Sequence, residues 1–124
     1  MPISYRIDKA KRRLYTHATG LITFDDLKQH MNTESGTPAA SYAEIFDCTE
    51  AMTNMTAEEV RALALERQRI AQQQHAAPAA VVATNDVFYG MFRMFDALTE
   101  NVRPLNVFRD IAEAEKWLDE IMGE

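Results

Sequence analysis

Apolar and polar residues alternate with a period of two at the start of the chain. Ile3, Tyr5 and Ile7 fall on one face of an extended segment, which is typical of a half-buried strand. A second extended segment runs from Leu14 to Thr19 and stops at Gly20, after a short basic turn. The two segments predict an N-terminal β-hairpin.

The spacing of apolar residues then changes to three and four, which predicts four amphipathic helices. Each helix begins at a residue whose side chain can cap the first turn. These residues are Thr23, Thr56 with Glu59 three positions later, Thr84 or Asn85, and Asp110 with Glu113. A loop is expected at 32–41, which contains Gly36 and Pro38. The third helix is expected to end near Asn101.

Three short apolar segments, at 42–47, 78–84 and 105–109, separate the helices. The segment at 78–84 is apolar almost throughout, which predicts a strand covered on both faces. The predicted order is therefore β-β-α-β-α-β-α-β-α. This order favours an α/β fold with a mixed, mainly parallel sheet, an N-terminal hairpin and flanking helices. Residues 1–124 are expected to form a single domain.

Composition narrows the class of protein. With 47% hydrophobic and 26% charged residues, the chain is expected to build an ordinary globular core. Its net charge of −6 argues against a nucleic-acid partner. The N-terminal residues do not form a signal peptide, and no stretch approaches the ~20 apolar residues of a membrane span. We therefore expect a cytoplasmic protein.

A basic cluster lies in the predicted hairpin turn and comprises Lys9, Lys11, Arg12 and Arg13. The simplest interpretation is a solvated hairpin tip. The alternative is peripheral contact with anionic lipid or with an acidic partner.

The sequence offers little catalytic chemistry. It contains no glycine-rich phosphate loop, and His17, His30 and His75 are not at metal-ligand spacing. We expect surface histidines, no metal, no cofactor and no catalytic residue. Cys48 is interpreted as a buried structural residue, and as the only cysteine it excludes an internal disulfide. A polar pocket around Cys48 or His17 would favour an enzyme instead.

The third helix stands out because its apolar residues cover an arc of about 160°, compared with the ~100° that core packing requires. We expect Phe88, Met91, Phe92 and Phe95 to form a binding surface. Its occupant would be an apolar small molecule or lipid, a membrane surface, or a second copy in a homodimer. The alternative is that this helix simply covers its sheet.

Two segments, 45–60 and 80–118, together with the element order, resemble the STAS superfamily, the fold of anti-sigma-factor antagonists. The resemblance is to its SpoIIAA-like branch of small bacterial domains. Antagonists of this kind carry Asp-Ser-Ser-Gly, with a phosphorylated serine, at the start of the second helix. Residues 55–58 read Met-Thr-Ala-Glu here, so only a hydroxyl, that of Thr56, is retained. The branch is also linked to apolar ligands and membranes through its similarity to CRAL-TRIO lipid-carrying domains.

Three hypotheses follow. The leading one is a non-enzymatic binding or regulatory module that acts through the third helix. The second is a phospho-regulated protein-interaction domain switched at Thr56, although this hydroxyl also suits an ordinary N-cap. The third and least favoured is an enzyme.

Overall fold

The predicted alternation of strands and helices is present in the computed structural model. The structure describes residues 2–35, 41–72, 77–100 and 102–123, and within these ranges the elements follow the predicted order. The strands are β1 (Ile3–Asp8), β2 (Arg13–Leu21), β3 (Ala43–Met52), β4 (Ala79–Val82) and β5 (Leu105–Phe108), and the helices are α1 (Phe24–Ser35), α2 (Ala57–Ala71), α3 (Asp86–Leu98) and α4 (Ile111–Ile121).

The strands lie in the sheet in chain order, β1-β2-β3-β4-β5. β1 and β2 form the predicted antiparallel hairpin, and the remaining neighbours pair in parallel. Right-handed crossovers between successive neighbours put the connecting helices α1, α2 and α3 on one face of such a sheet. Helix α4 follows the last strand and packs on the other face against β4, β3 and β5.

The helix starts follow the predicted caps. The Thr56 side chain accepts a hydrogen bond from the Glu59 amide at 3.1 Å, and the Glu59 carboxylate accepts one from the Thr56 amide at 2.9 Å. This reciprocal pair is a capping box. Asn85 caps α3 and Asp110 caps α4, so the side-chain pattern correctly located both starts.

Several boundaries differ from the predictions. Helix α1 extends to Ser35, so residues 32–35 of the predicted loop at 32–41 are helical, and Gly36 and Pro38 lie outside the described residues. Strand β2 continues through Gly20 because the parallel ladder with β3 resumes after an irregularity between His17 and Thr19. Gly20 adopts a positive φ of 74°, which glycine tolerates.

The third helix is shorter than predicted. Helix α3 ends at Leu98, and the Thr99 hydroxyl donates to the Phe95 carbonyl at 2.8 Å in its last turn. The predicted end near Asn101 lies outside the described residues.

The larger apolar core lies between the sheet and helices α1, α2 and α3. Phe46 and Val81 contribute from the sheet, Leu27 from α1 and Leu63 from α2. A smaller core beneath α4 is built by Ala43, Ile45, Ala80, Val82, Ala114 and Leu118. Because β4 is buried on both faces, the prediction from its continuous apolar run is confirmed.

The expected binding surface on the third helix is wrong, because its residues are core. Phe88, Met91, Phe92 and Phe95 are only 0%, 8%, 4% and 5% exposed. Helix α3 packs against α2 as well as against β3 and β5, and two packing directions require a wider apolar arc than one. The rings also pack on each other: the centroids of Phe88 and Phe92 are 5.1 Å apart in a stacked pair.

In the part of the chain that the structure describes, none of the helices has the length and apolar character needed to cross a bilayer.

Core placement of α3 gives a stability prediction. Phe88→Ala should lower the free energy of unfolding by about 3–5 kcal/mol, because it removes a fully buried ring. Val87→Ala, at the neighbouring position that is 61% exposed, should change it by less than about 0.5 kcal/mol. Urea denaturation followed by circular dichroism measures both. Equal stability of the two variants would contradict the assignment of Phe88 to the core.

Candidate functional site

The candidate site lies on the sheet face that carries α4. This helix packs over β3, β4 and β5, and it reaches β2 through the Arg13–Asp119 ion pair at 3.0 Å. The part of this face formed by β1 and the end of β2 is left open. A cleft of about 330 Å³ lies there, beside the first turn of α4. We call it the open-face cleft; its lining includes Ser4, Arg6, Tyr15, His17, Ile45, Asp47 and Ile111.

The strand register aligns the polar residues of this cleft. Ser4 pairs with His17 across β1 and β2, and His17 pairs with Asp47 across β2 and β3. Directly paired residues project from the same face of a sheet. Three polar residues therefore form one row across the floor of the cleft. Arg6 and Tyr15 form the next pair along the hairpin.

His17 is held between two carboxylates. Its Nδ1 lies 3.4 Å from Asp47 Oδ2, and its Nε2 lies 3.3 Å from Glu50 Oε1. Asp47 is fixed in turn, since its Oδ1 accepts hydrogen bonds from the Thr49 amide and hydroxyl at 2.9 and 2.7 Å. A general base needs a ring nitrogen aimed at the proton it removes. With both nitrogens facing carboxylates, His17 is not arranged to activate Ser4.

Arg6 and Tyr15 form the second feature of the cleft. The guanidinium carbon of Arg6 lies 4.2 Å from the centroid of the Tyr15 ring, within range of a cation–π interaction. The Tyr15 hydroxyl donates to Glu115 Oε1 on α4 at 3.4 Å. The Tyr15 ring is therefore held from two directions, by α4 through its hydroxyl and by β1 through Arg6. The Arg6 guanidinium lies over one face of this ring and is itself exposed to the cleft.

A second polar cluster is buried on the opposite face of the sheet, around Glu44 of β3. Glu44 is 1% exposed. Its Oε2 accepts a hydrogen bond from the Thr16 hydroxyl at 2.6 Å and lies 2.9 Å from His30 Nε2. Its Oε1 lies 3.5 Å from Arg103 Nη2. The carboxylate is thus surrounded by donors at the start of the parallel strands.

These donors hold Glu44 ionised. Burial alone would raise the pKa of Glu44, but the hydrogen bond and charge of His30, the charge of Arg103 and the Thr16 hydroxyl outweigh burial. Together they lower the pKa of Glu44 from 4.5 to about 2. Buried groups with displaced pKa values occur both at functional sites and in structural ion pairs. Here the partners account for the charge, so the cluster is structural.

A small cavity adjoins this cluster, with Phe92 and Phe95 in its lining beside Glu44 and His30. Its volume is about 30 Å³, enough for about one water molecule and far below the ~150 Å³ of a protein cavity that binds benzene. Helix α3 therefore contributes no preformed chamber for an apolar ligand among the described residues.

A third opening lies between β1 and α1. This groove of about 210 Å³ is lined by Ile3, Tyr5, Gln29 and His30 among others. It is smaller than the open-face cleft. Its histidine is already committed to Glu44.

The histidines and the cysteine can now be placed. His17 is a surface histidine as expected, with its side chain 41% exposed. His30 is not a surface residue: it is 8% exposed and bonded to Glu44, so that prediction is wrong. His75 lies outside the described residues. Cys48 is fully buried as predicted, and burial raises the pKa of its thiol.

The basic turn can also be placed within the described ranges. Arg13 is 1% exposed and pairs with Asp119, so it does not belong to a solvated hairpin tip. Its register position on β2 directs it under α4. Among the described residues no group of three or more His, Cys, Asp or Glu side chains is placed to hold a metal ion.

Thr56 is exposed and serves as the N-cap of α2. The interpretation as an ordinary cap is confirmed by its capping box with Glu59. A phosphate on Thr56 would stand beside the Glu58 and Glu59 carboxylates of the same first turn. Phosphorylation of Thr56 stays a prediction.

Sequence reasoning missed Glu44 and Arg6. The signal for Glu44 was its position two residues before Phe46 in a buried strand, which directs a carboxylate into the core. The signal for the cleft was the polar face of β1, where Ser4 and Arg6 alternate with Ile3 and Tyr5. The role of the polar face of β1 in the cleft can be recognised only when the strand order is known.

The Glu44 cluster predicts a pH-dependent stability. Because the folded pKa of Glu44 is about 2, below its ordinary 4.5, its contribution is fully present above pH 4.5 and is lost as the pH falls toward 2. Glu44→Gln should lower the free energy of unfolding by about 3 kcal/mol at pH 7. The difference from the unsubstituted protein should shrink between pH 4.5 and 2. Urea denaturation at a series of pH values measures it.

Glu100→Gln provides the matched control, because Glu100 is exposed at the end of α3. This variant should differ from the unsubstituted protein by less than about 0.5 kcal/mol at every pH. A Glu44→Gln effect that stays constant from pH 7 to pH 3 would show that the carboxylate charge is not what stabilises the cluster.

The comparisons with known proteins concern the fold. No family model matches the sequence, and no curated protein matches it. A solved structure does: an uncharacterized protein from the DUF3478 family with a SpoIIAA-like fold, from Shewanella loihica PV-4. The two chains are 18% identical, the match covers 94% of this chain and 93% of that one, and the TM-score is 0.60. The chain therefore has the SpoIIAA-like α/β fold that its element order and two sequence segments predicted.

Proposed function

We propose that the protein is a non-enzymatic binding module whose ligand occupies the open-face cleft. The observation that carries this proposal is the cleft itself, about 330 Å³ on a sheet face that α4 leaves partly uncovered. This volume falls at the lower end of the ~300–1,000 Å³ that small-molecule sites occupy. A small molecule is therefore favoured over a long lipid chain.

The lining has the mixture that such sites use. Tyr15, Ile45 and Ile111 supply apolar surface, and Ile111 is 44% exposed at the rim. Arg6 and His17 supply polar groups that can orient a ligand. The strand register fixes the backbone of the lining, and hydrogen bonds hold the side chains of Tyr15 and Asp47, so this part of the cleft requires little rearrangement on binding.

The open-face cleft is a polar pocket around His17, the feature that would favour an enzyme. Two observations nevertheless support binding rather than catalysis. Both ring nitrogens of His17 face carboxylates. Cys48, the other residue that would have favoured an enzyme, is buried in the core on the opposite face with a raised thiol pKa, and a buried thiol is a poor nucleophile. A binding or regulatory role also agrees with the SpoIIAA-like fold, although a fold alone does not assign a ligand.

The other partners expected from the sequence, a second copy of the chain and a membrane surface, remain predictions. Homodimer formation and peripheral membrane contact were expected through the phenylalanines of α3, and these are buried in the single chain. Exposed apolar side chains do occur elsewhere, for example Leu21 and Met52, which pair at the ends of β2 and β3 and are 52% and 55% exposed.

A nuclear magnetic resonance screen of small ring compounds tests the proposed site. We expect binding compounds to shift the backbone amide signals of Ser4, His17 and Ile111, because these residues line the cleft. Ser4→Trp should abolish the shifts by placing an indole in the cleft, and a strand position tolerates this aromatic residue.

Glu58→Trp is the control, since it adds the same indole at an exposed position of α2. It should leave binding unchanged, and both variants should keep the unfolding midpoint of the original protein. Shifts confined to other surfaces, or full binding by Ser4→Trp, would refute the cleft as the ligand site.

A further inference from the structure

We infer that the ligand of the open-face cleft is a small anion, a carboxylate carried on a flat apolar ring, and that Arg6 is the residue that selects it. This inference rests on the proposed function and adds the chemical class of the ligand. It follows from which charges around the cleft already have partners.

The carboxylates at the cleft are already engaged. Asp47 accepts two hydrogen bonds from Thr49 and faces His17. Glu50 faces the other nitrogen of His17, and Glu115 accepts from the Tyr15 hydroxyl. A cationic ligand would have to compete with these internal partners.

The Arg6 guanidinium, unlike these carboxylates, has hydrogen-bonding groups that are not engaged. Arg6 is exposed, and among the described residues its contact is with the face of the Tyr15 ring and not with a carboxylate. None of the described residues accepts a hydrogen bond from the five N–H donors of this guanidinium, so these donors remain available. These donors form a fork that matches a carboxylate. Among the side chains that line the cleft, Arg6 is therefore the one with the most N–H donors left unused by the described residues.

A second arginine in the chain shows the contrast. Arg109 also stacks on a tyrosine, with its guanidinium carbon 3.9 Å from the Tyr89 ring centroid. Arg109 in addition pairs with Asp86 at 2.8 Å and donates to the Thr84 carbonyl at 2.9 Å. Arg109 therefore has a carboxylate partner, whereas Arg6 has none among the described residues.

The apolar side chains that border the cleft indicate the chemistry of the ligand apart from its carboxylate. The Tyr15 ring and the Ile111 side chain border the space next to Arg6. A planar apolar body could pack against the Ile111 side chain, which is 44% exposed, and along the Tyr15 ring edge while its carboxylate meets the guanidinium. Inorganic anions would gain the charge interaction and lose this apolar contact.

Four probes separate these contributions: benzoate, benzylamine, benzyl alcohol and inorganic phosphate. Benzoate is expected to bind with a Kd on the order of 1 mM, the range for a ligand of this size. Benzylamine, benzyl alcohol and phosphate should each bind at least about tenfold more weakly, because each lacks either the anionic charge or the ring. Amide shifts of Ser4, His17 and Ile111 report binding in the cleft.

Variants assign the selectivity to Arg6. Arg6→Gln should weaken benzoate binding at least about tenfold and leave benzyl alcohol binding unchanged, whereas Arg6→Lys should retain part of the affinity. Arg109→Gln is the matched control and should bind benzoate as the original protein does. Equal benzoate binding by Arg6→Gln and the original protein would overturn the role of Arg6.

The outcomes distinguish this inference from the proposed function. If benzylamine or benzyl alcohol binds in the cleft as tightly as benzoate, the preference for an anion is wrong and the binding module stands. If phosphate binds as tightly as benzoate, the apolar body of the ligand is wrong. If no ring compound of any charge binds in the cleft, both proposals fail together.

Discussion

The arrangement of this protein depends on one topological constraint, the sequential order of its strands. Because β2, β3, β4 and β5 lie side by side in chain order, right-handed crossovers send all three connecting helices to one face. Only the segment after β5 is left for the other face, and within the described residues α4 fills that role. One helix cannot cover five strands. The large core, the small core and the open-face cleft all follow from this unequal distribution.

The two faces of the sheet differ in how their charged side chains are stabilised. On the three-helix face, Glu44 is fully enclosed and is stabilised by Thr16, His30 and Arg103. Removing a charge from water is costly unless hydrogen bonds and opposite charge replace the solvent, and these three partners hold the pKa of Glu44 below its ordinary value. On the α4 face, Arg13 is likewise buried and pairs with Asp119, whereas Arg6 in the open-face cleft remains in contact with water. Pairing is therefore required where a charge is buried and optional in the cleft, where the donors of Arg6 are available for a ligand.

The sequence predicted the order of elements because capping residues and apolar periodicity are local signals. Thr56, Asn85 and Asp110 begin their helices as predicted. It did not predict the candidate site, because Arg6, His17 and Asp47 come from three strands and meet only through their register. The same limit explains the error on α3. Its apolar arc was measured correctly, but a helical wheel does not reveal that α2 and the sheet both pack against it.

This error also bears on how ligands are sought in small α/β proteins. A wide apolar arc on a helix indicates the number of its packing neighbours before it indicates a ligand, and Phe88 and Phe92 stack on each other at 5.1 Å with almost no exposure. A functional group differs from a structural one in having bonding capacity that the fold leaves unused. By that criterion Glu44, although buried and strongly shifted in pKa, is structural, because His30, Arg103 and Thr16 account for its charge. Arg6, which has an exposed guanidinium stacked on Tyr15 and no carboxylate partner among the described residues, is the residue through which the open-face cleft can recognise something outside the chain.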